Sequence, residues 1–184
     1  MLFLLPVVIC MFFCNCKKET KVETITKTDT VYVEVHDTTT IPALISDTIT
    51  TLIILRHAEK ESTGKALSQI GGLPLTELEI YDKQTTDEAI GYVATISTLR
   101  LLSISNSQEI TDAAVDSLLK LRALEELKIG PTKLTDAGLA RLAGLKSLKK
   151  LALTIPKKSR TPTVTEAGVE SLKKARPDLT LEVN

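Results

Sequence analysis

The sequence predicts an α/β fold: short parallel strands on a concave face and short helices on a convex back, with about four stacked units between terminal caps. Three observations carry this. Aliphatic triplets recur with one internal spacing, a Thr-acid pair follows each triplet, and apolar residues three apart follow each pair. The recurrence is roughly 24–25 residues, a period at which one unit is a strand, a turn and a helix. Such a unit cannot bury its own apolar face, so units must stack.

In chain order, the first 20 of the 184 residues read MLFLLPVVICMFFCNCKKET, apolar to Phe13 and then abruptly basic. A helix needs roughly 20 apolar residues to cross a bilayer, so this run has the length of a secretory signal rather than of an anchor. It resembles a bacterial lipoprotein signal peptide over residues 1–16. The resemblance implies cleavage before Cys16, acylation of that cysteine and an exported protein held at the cell envelope, facing the periplasm or on the outer membrane. Two features depart from the pattern: no Lys or Arg precedes the apolar run, and Asn15 stands where a small residue is usual. Cys14 is the alternative position, and an ordinary secretory signal the alternative reading. Cys10, Cys14 and Cys16 are the three cysteines of the chain, so the remainder has no disulfide framework and no thiolate metal site. No metal or cofactor is expected.

Residues 17–49 are rich in Thr, Val, Asp and Lys. The run VETITKTDTVYVEVHDTTT alternates apolar and polar residues as a strand does, but no turn signal supplies a hairpin partner. The segment therefore reads as an extended tether. Asp29-Thr30-Val31, Asp37-Thr38-Thr39 and Asp47-Thr48-Ile49 resemble an O-glycosylation triplet used by one group of Gram-negative bacteria, which implies a sterically protected stalk.

Residues 50–74 open on TTLIILRHAEKESTG, an apolar strand running into Arg56-His57-Ala58-Glu59-Lys60. This resembles the opening motif of the histidine phosphatase (phosphoglycerate mutase-like) superfamily. The resemblance implies His57 as the phosphoryl-accepting nucleophile and Arg56 as a clamp on phosphate charge. That family also requires a second His in a late segment, and the chain holds only His36 besides His57, upstream of it. A nucleophile without its second His, acid and phosphate pocket lacks the constellation that covalent catalysis needs. The other reading makes Leu52-Ile53-Ile54-Leu55 a strand that covers the open end of the stack.

From residue 75 to 184 the strands align as Leu75-x-x-Leu78-x-Ile80, Leu99-x-x-Leu102-x-Ile104, Leu124-x-x-Leu127-x-Ile129 and Leu148-x-x-Leu151-x-Leu153. Thr86-Asp87, Thr111-Asp112, Thr135-Asp136 and Thr165-Glu166 follow in turn. The apolar helical sets are Ile90, Val93 and Ile96; Val115, Leu118 and Leu121; Leu139, Leu142 and Leu145; and Val169, Leu172 and Ala175. Thr or Asp at such a junction accepts from free N–H groups of the first helical turn, and the acid suits the helix dipole. Gly138 and Gly168 stand early in their helices, where a missing side chain permits close packing. The segment resembles the leucine-rich repeat family in its bacterial form, L-x-x-L-x-L-x-x-T-x-[IL]-T-D-A-G-L. That family implies a solenoid whose concave face binds other macromolecules. The final LTLEV reads as the closing strand.

The residues between the strand leucines form the candidate binding face: Glu77, Glu79, Tyr81, Ser103, Ser105, Glu126, Lys128, Lys150 and Thr154. They contain no paired carboxylates, nucleophile–base set or phosphate-binding loop, so the chain is expected to be non-catalytic. Its expected partner is a protein or other envelope macromolecule, with the membrane reached through the lipid anchor. The alternative is a degenerate phosphatase-like protein that binds a phosphorylated ligand through Arg56 and His57. Formal net charge is zero and tryptophan is absent, which argues against nucleic acid. Charge is nonetheless uneven: Glu77 to Glu126 holds roughly ten acids against four bases, and Lys128 to Arg176 roughly twelve bases against three acids. That gradient reads either as solvated faces that are merely uneven or, more sharply, as a bipolar surface that orients a charged partner.

Overall fold

An aliphatic residue at every second position makes a strand worth forming only where one side of a sheet is covered. The computed structural model describes residues 30–35, 51–56, 64, 67–105, 107–155 and 164–184. Its strands are β1 (Thr30–Val35), β2 (Thr51–Arg56), β3 (Glu77–Tyr81), β4 (Leu101–Ser105), β5 (Glu126–Ile129), β6 (Lys150–Leu153) and β7 (Thr180–Val183). They pair in chain order into one all-parallel sheet. Helices α1 (Asp87–Val93), α2 (Ala114–Leu118), α3 (Asp136–Leu142) and α4 (Glu166–Ala175) follow β3, β4, β5 and β6. The class is α/β, as expected.

Register is kept from strand to strand. Leu78, Leu102, Leu127, Leu151 and Leu181 stand opposite one another in sequence across β3 to β7. The first four are fully or almost fully buried, and a slip of one residue would turn each of them out to solvent. Ile80, Ile104, Ile129 and Leu153 form a second inward row. Ile90 and Val93, Val115 and Leu118, Leu139 and Leu142, and Val169 and Leu172 close the core from the helices. Each such side chain contributes roughly 1.5–3 kcal/mol through burial.

Three expectations are corrected. The supposed tether contains β1, which pairs with β2 in parallel, Val31 opposite Leu52 and Val33 opposite Ile54. A parallel partner is reached by a crossover and needs no hairpin turn, so a search for turn signals misses it. Consequently β2 lies between β1 and β3 rather than covering the end of the row. At the other end Ala175, expected in the core, is exposed, and Arg176 is buried instead. Its guanidinium donates to the carbonyls of Leu145 (2.8 Å) and Leu148 (2.8 Å) and is bound by Asp178 (2.7 Å).

The Thr-acid pairs act across unit boundaries. Thr86, Thr135 and Thr165 cap their own helices, their hydroxyl oxygens accepting from the N–H groups of Ala89, Ala137 and Gly168. The aspartates, expected to cap as well, each serve the next unit. Asp87 accepts from Thr111 N (2.8 Å) and Oγ1 (2.6 Å), Asp112 from Thr135 N (2.8 Å) and Oγ1 (2.6 Å), and Asp136 from Thr165 N (2.7 Å) and Oγ1 (2.7 Å). The glycines make room for this. A Cβ on Gly138 would overlap the Asp112 carboxylate and one on Gly168 the Asp136 carboxylate.

The second unit has Ala114 at the equivalent position, and α2 is correspondingly late. Its helix begins at Ala114, three residues after Thr111, whereas the others begin one residue after their threonine. Ala114 N donates to Thr111 O and Val115 N to Asp112 O, three residues back, while Leu139 N and Val169 N reach four residues back to Thr135 and Thr165. Ala89 in α1 also carries a Cβ, and its helix starts one residue after Thr86.

Candidate interaction surface

Because all strands are parallel, their outward residues form rows across the sheet. Glu77, Leu101, Glu126, Lys150 and Thr180 make one row, and Glu79, Ser103, Lys128, Ala152 and Glu182 the next. Tyr81 and Ser105 begin a third. Eight of the nine residues expected on this face are at least partly accessible. Ser103 is not, being only 6% exposed. Thr154 lies just beyond β6, its N–H donating to Ile129 O.

The charges of this face are largely matched within it. Lys128 pairs with Glu126 (3.3 Å), and Lys150 with Glu182 (3.1 Å) and more distantly with Glu126 (3.7 Å). The hydrogen bond from Lys150 to Glu182, aided by Glu126, raises the ammonium above its ordinary pKa. At β3 the Tyr81 hydroxyl donates to Glu79 (2.7 Å), and Glu77 accepts from Thr51 Oγ1 (3.4 Å). Chain-order asymmetry therefore does not become a bipolar face, because register places glutamates beside the lysines. Tyr81, 43% exposed, and Val183 are the large apolar side chains left open among the described residues.

An excess of bases gathers instead at one edge of the sheet. All helix-to-strand turns fall at the amino ends of the strands, and all strand-to-helix turns at the carboxyl ends. The carboxyl side carries the aspartates already committed to Thr111, Thr135 and Thr165. At the amino side Glu125 lies between Arg100 (2.8 Å) and Lys149 (2.7 Å), and the Lys149 hydrogen bond chiefly holds its carboxyl below the usual pKa. Lys120, Arg122, Lys146 and Lys174 stand on the same side, exposed or partly so, and none of them forms an ion pair with a described acid within 4.0 Å. The sequence carried a signal for two of these: Arg122 and Lys146 each follow the last core leucine of a helical set, Leu121 and Leu145.

Several residues named above lie outside the described residues: Cys10, Cys14 and Cys16, His36 and His57; so does the basic run IPKKSRTPT, with Lys157, Lys158 and Arg160. Arg56 is placed by its backbone alone, as the last residue of β2 and opposite Val35. Among the described residues there is no group of three or more His, Cys, Asp and Glu able to hold a metal, and no helix long and apolar enough to cross a membrane. A shallow indentation lined by Ile129, Thr132, Leu134, Leu153 and Ile155 has room for little more than a water molecule. No protein-family model matches the chain, and no curated protein matches it.

Proposed function

We propose that this is a non-catalytic leucine-rich-repeat interaction protein, a solenoid anchored at a bacterial cell envelope through an acylated Cys16. The observation that carries this reading is the unbroken register of β3 to β7, which sets polar side chains in regular rows over an aliphatic core. Rows of that kind suit an extended partner surface, and nothing in them has the spacing of acid–base or nucleophilic catalysis. The partner meets the face at Glu77, Glu79, Tyr81 and Ser105, where no lysine among the described residues pairs with the acids.

The test is capture from crosslinked envelope extract by the full chain and by Glu77→Lys/Glu79→Lys. A partner retained by the wild type and lost by the variant supports the reading. Equal capture by both refutes it.

A second reading keeps Arg56 and His57 as a phosphate-binding pair. It is favoured by the position of Arg56 at the carboxyl end of a strand in a parallel sheet, the side on which such sheets take ligands. Phosphoester hydrolysis or phosphate binding lost in His57→Ala would establish it, and its absence from the wild type would dismiss it.

A further inference from the structure

We infer that the amino edge of the sheet, marked by Lys120, Arg122, Lys146 and Lys174, is a docking surface for anionic lipid headgroups, so that the domain lies edge-on against the membrane that anchors it. This rests on the anchored reading of Cys16. Zero net charge conceals the edge: the acids on it, Glu125 and Asp178, are bonded to Arg100, Lys149 and Arg176, with Asp178 also near the charge of Lys146, while Asp87, Asp112 and Asp136 are bonded to threonines at the opposite edge.

The chemistry of the edge selects the partner. Arg122 and Lys146 occupy the same position in successive units, each preceding its strand by four residues, and paired strands are roughly 4.8 Å apart. The result is a pair of exposed long cations on adjacent units, flanked by Lys120 and Lys174. Protein interfaces centre on buried aromatic or aliphatic anchors. The described large apolar side chains left exposed, Tyr81 and Val183, lie at the carboxyl ends of β3 and β7, away from this edge. A planar array of phosphates needs no anchor of that type. Cations near such a surface act additively and are screened by salt. The last turn of α4 carries Lys174 beside it, where a basic side chain also suits the helix dipole, whereas Arg141 and Lys173 are engaged by Asp116 and Glu170.

The experiment is partition of the full chain onto neutral phosphatidylcholine vesicles and onto vesicles containing phosphatidylglycerol. Neutral vesicles report the amino-terminal anchor alone, so failure of the anchored reading appears there. The gain on phosphatidylglycerol reports the edge. Each of Lys120→Gln, Arg122→Gln and Lys146→Gln is expected to lower that gain about fivefold, and the triple variant on the order of a hundredfold. Lys133→Gln, at the opposite edge, should leave it unchanged, and raised salt should abolish it. The inference is overturned if anionic and neutral vesicles bind alike, or if Lys133→Gln costs as much as the edge variants. It is also overturned if the gain is lost only on neutralising Lys157, Lys158 and Arg160, or if the edge captures polyglutamate and not phosphatidylglycerol, which would identify an acidic protein as the partner.

Discussion

The carboxylate of Asp112 fills the space that a side chain on Gly138 would occupy, and from there it accepts two hydrogen bonds from Thr135. Two effects therefore oppose each other when Gly138 is replaced by Ala. Helix propensity favours the variant by ~1 kcal/mol. Overpacking against a fixed carboxylate opposes it by ~1–3 kcal/mol, and more if both bonds break. Gly138→Ala should be net destabilising in urea unfolding. Adding Asp112→Ala should then cost less than the sum of the two single changes, since the clash is gone.

The threonines offer an internal control. Thr135 both caps α3 and donates to Asp112, whereas Thr86 only caps α1. Loss of a cap costs ~1 kcal/mol, and a hydrogen bond to a charged group adds ~1.5–3 kcal/mol. Thr135→Ala should therefore lower stability by at least twice as much as Thr86→Ala. Equal losses would mean that the bond across the boundary contributes nothing.

Arg176 closes the last turn of the core from within. Replacing it by Met keeps an apolar stem but takes the side-chain donor from the Leu148 carbonyl and leaves Leu145 O with the Leu148 N–H (3.1 Å), at a cost of ~1–3 kcal/mol. Arg176→Lys should recover little, because one ammonium cannot span two carbonyls and a carboxylate as a planar guanidinium does. Denaturant midpoints of the two variants decide this.

Acid should reach the same place. The Arg176 guanidinium holds the Asp178 carboxyl below its ordinary pKa. The unfolded chain therefore takes up that proton first as pH falls, and the stabilisation, complete above the unfolded value, is lost through the folded one. Asp178→Asn should flatten the stability profile below about pH 4 and leave its slope near neutrality unchanged. An identical acid limb in both proteins would show that Asp178 has no part in it.

Ala114 makes a structural prediction. With Gly in its place the Asp87 carboxylate gains room, and α2 should start nearer Thr111. The Val115 amide would then turn from the carbonyl of Asp112 to that of Thr111, which carbonyl chemical shifts and hydrogen exchange would register.

Much of this architecture was legible because period and burial coincide: every triplet leucine from Leu75 to Leu151 is inward. The threonine caps were legible too. What the aspartates do was not, since a local cap and a bond to a residue 23–29 positions away require the same side chain. The role of Arg176 was hidden by its type, because a cation next to a proline reads as surface. The candidate face was legible as a set of residues but not in its charge, because pairing depends on which residue the next strand sets alongside. Glu126 beside Lys150 is a matter of register, and register does not show in chain order.

The aspartate ties also govern how the domain comes apart. Each of them spans a boundary, and none strengthens the unit that supplies it. Free energy is thereby moved from the individual unit into the coupling between neighbours, the term that sets cooperativity in a linear array. An intact row should melt in one transition. Cutting the single tie at Asp112 should split that transition in two, giving the domain a weak seam where its sequence shows no linker.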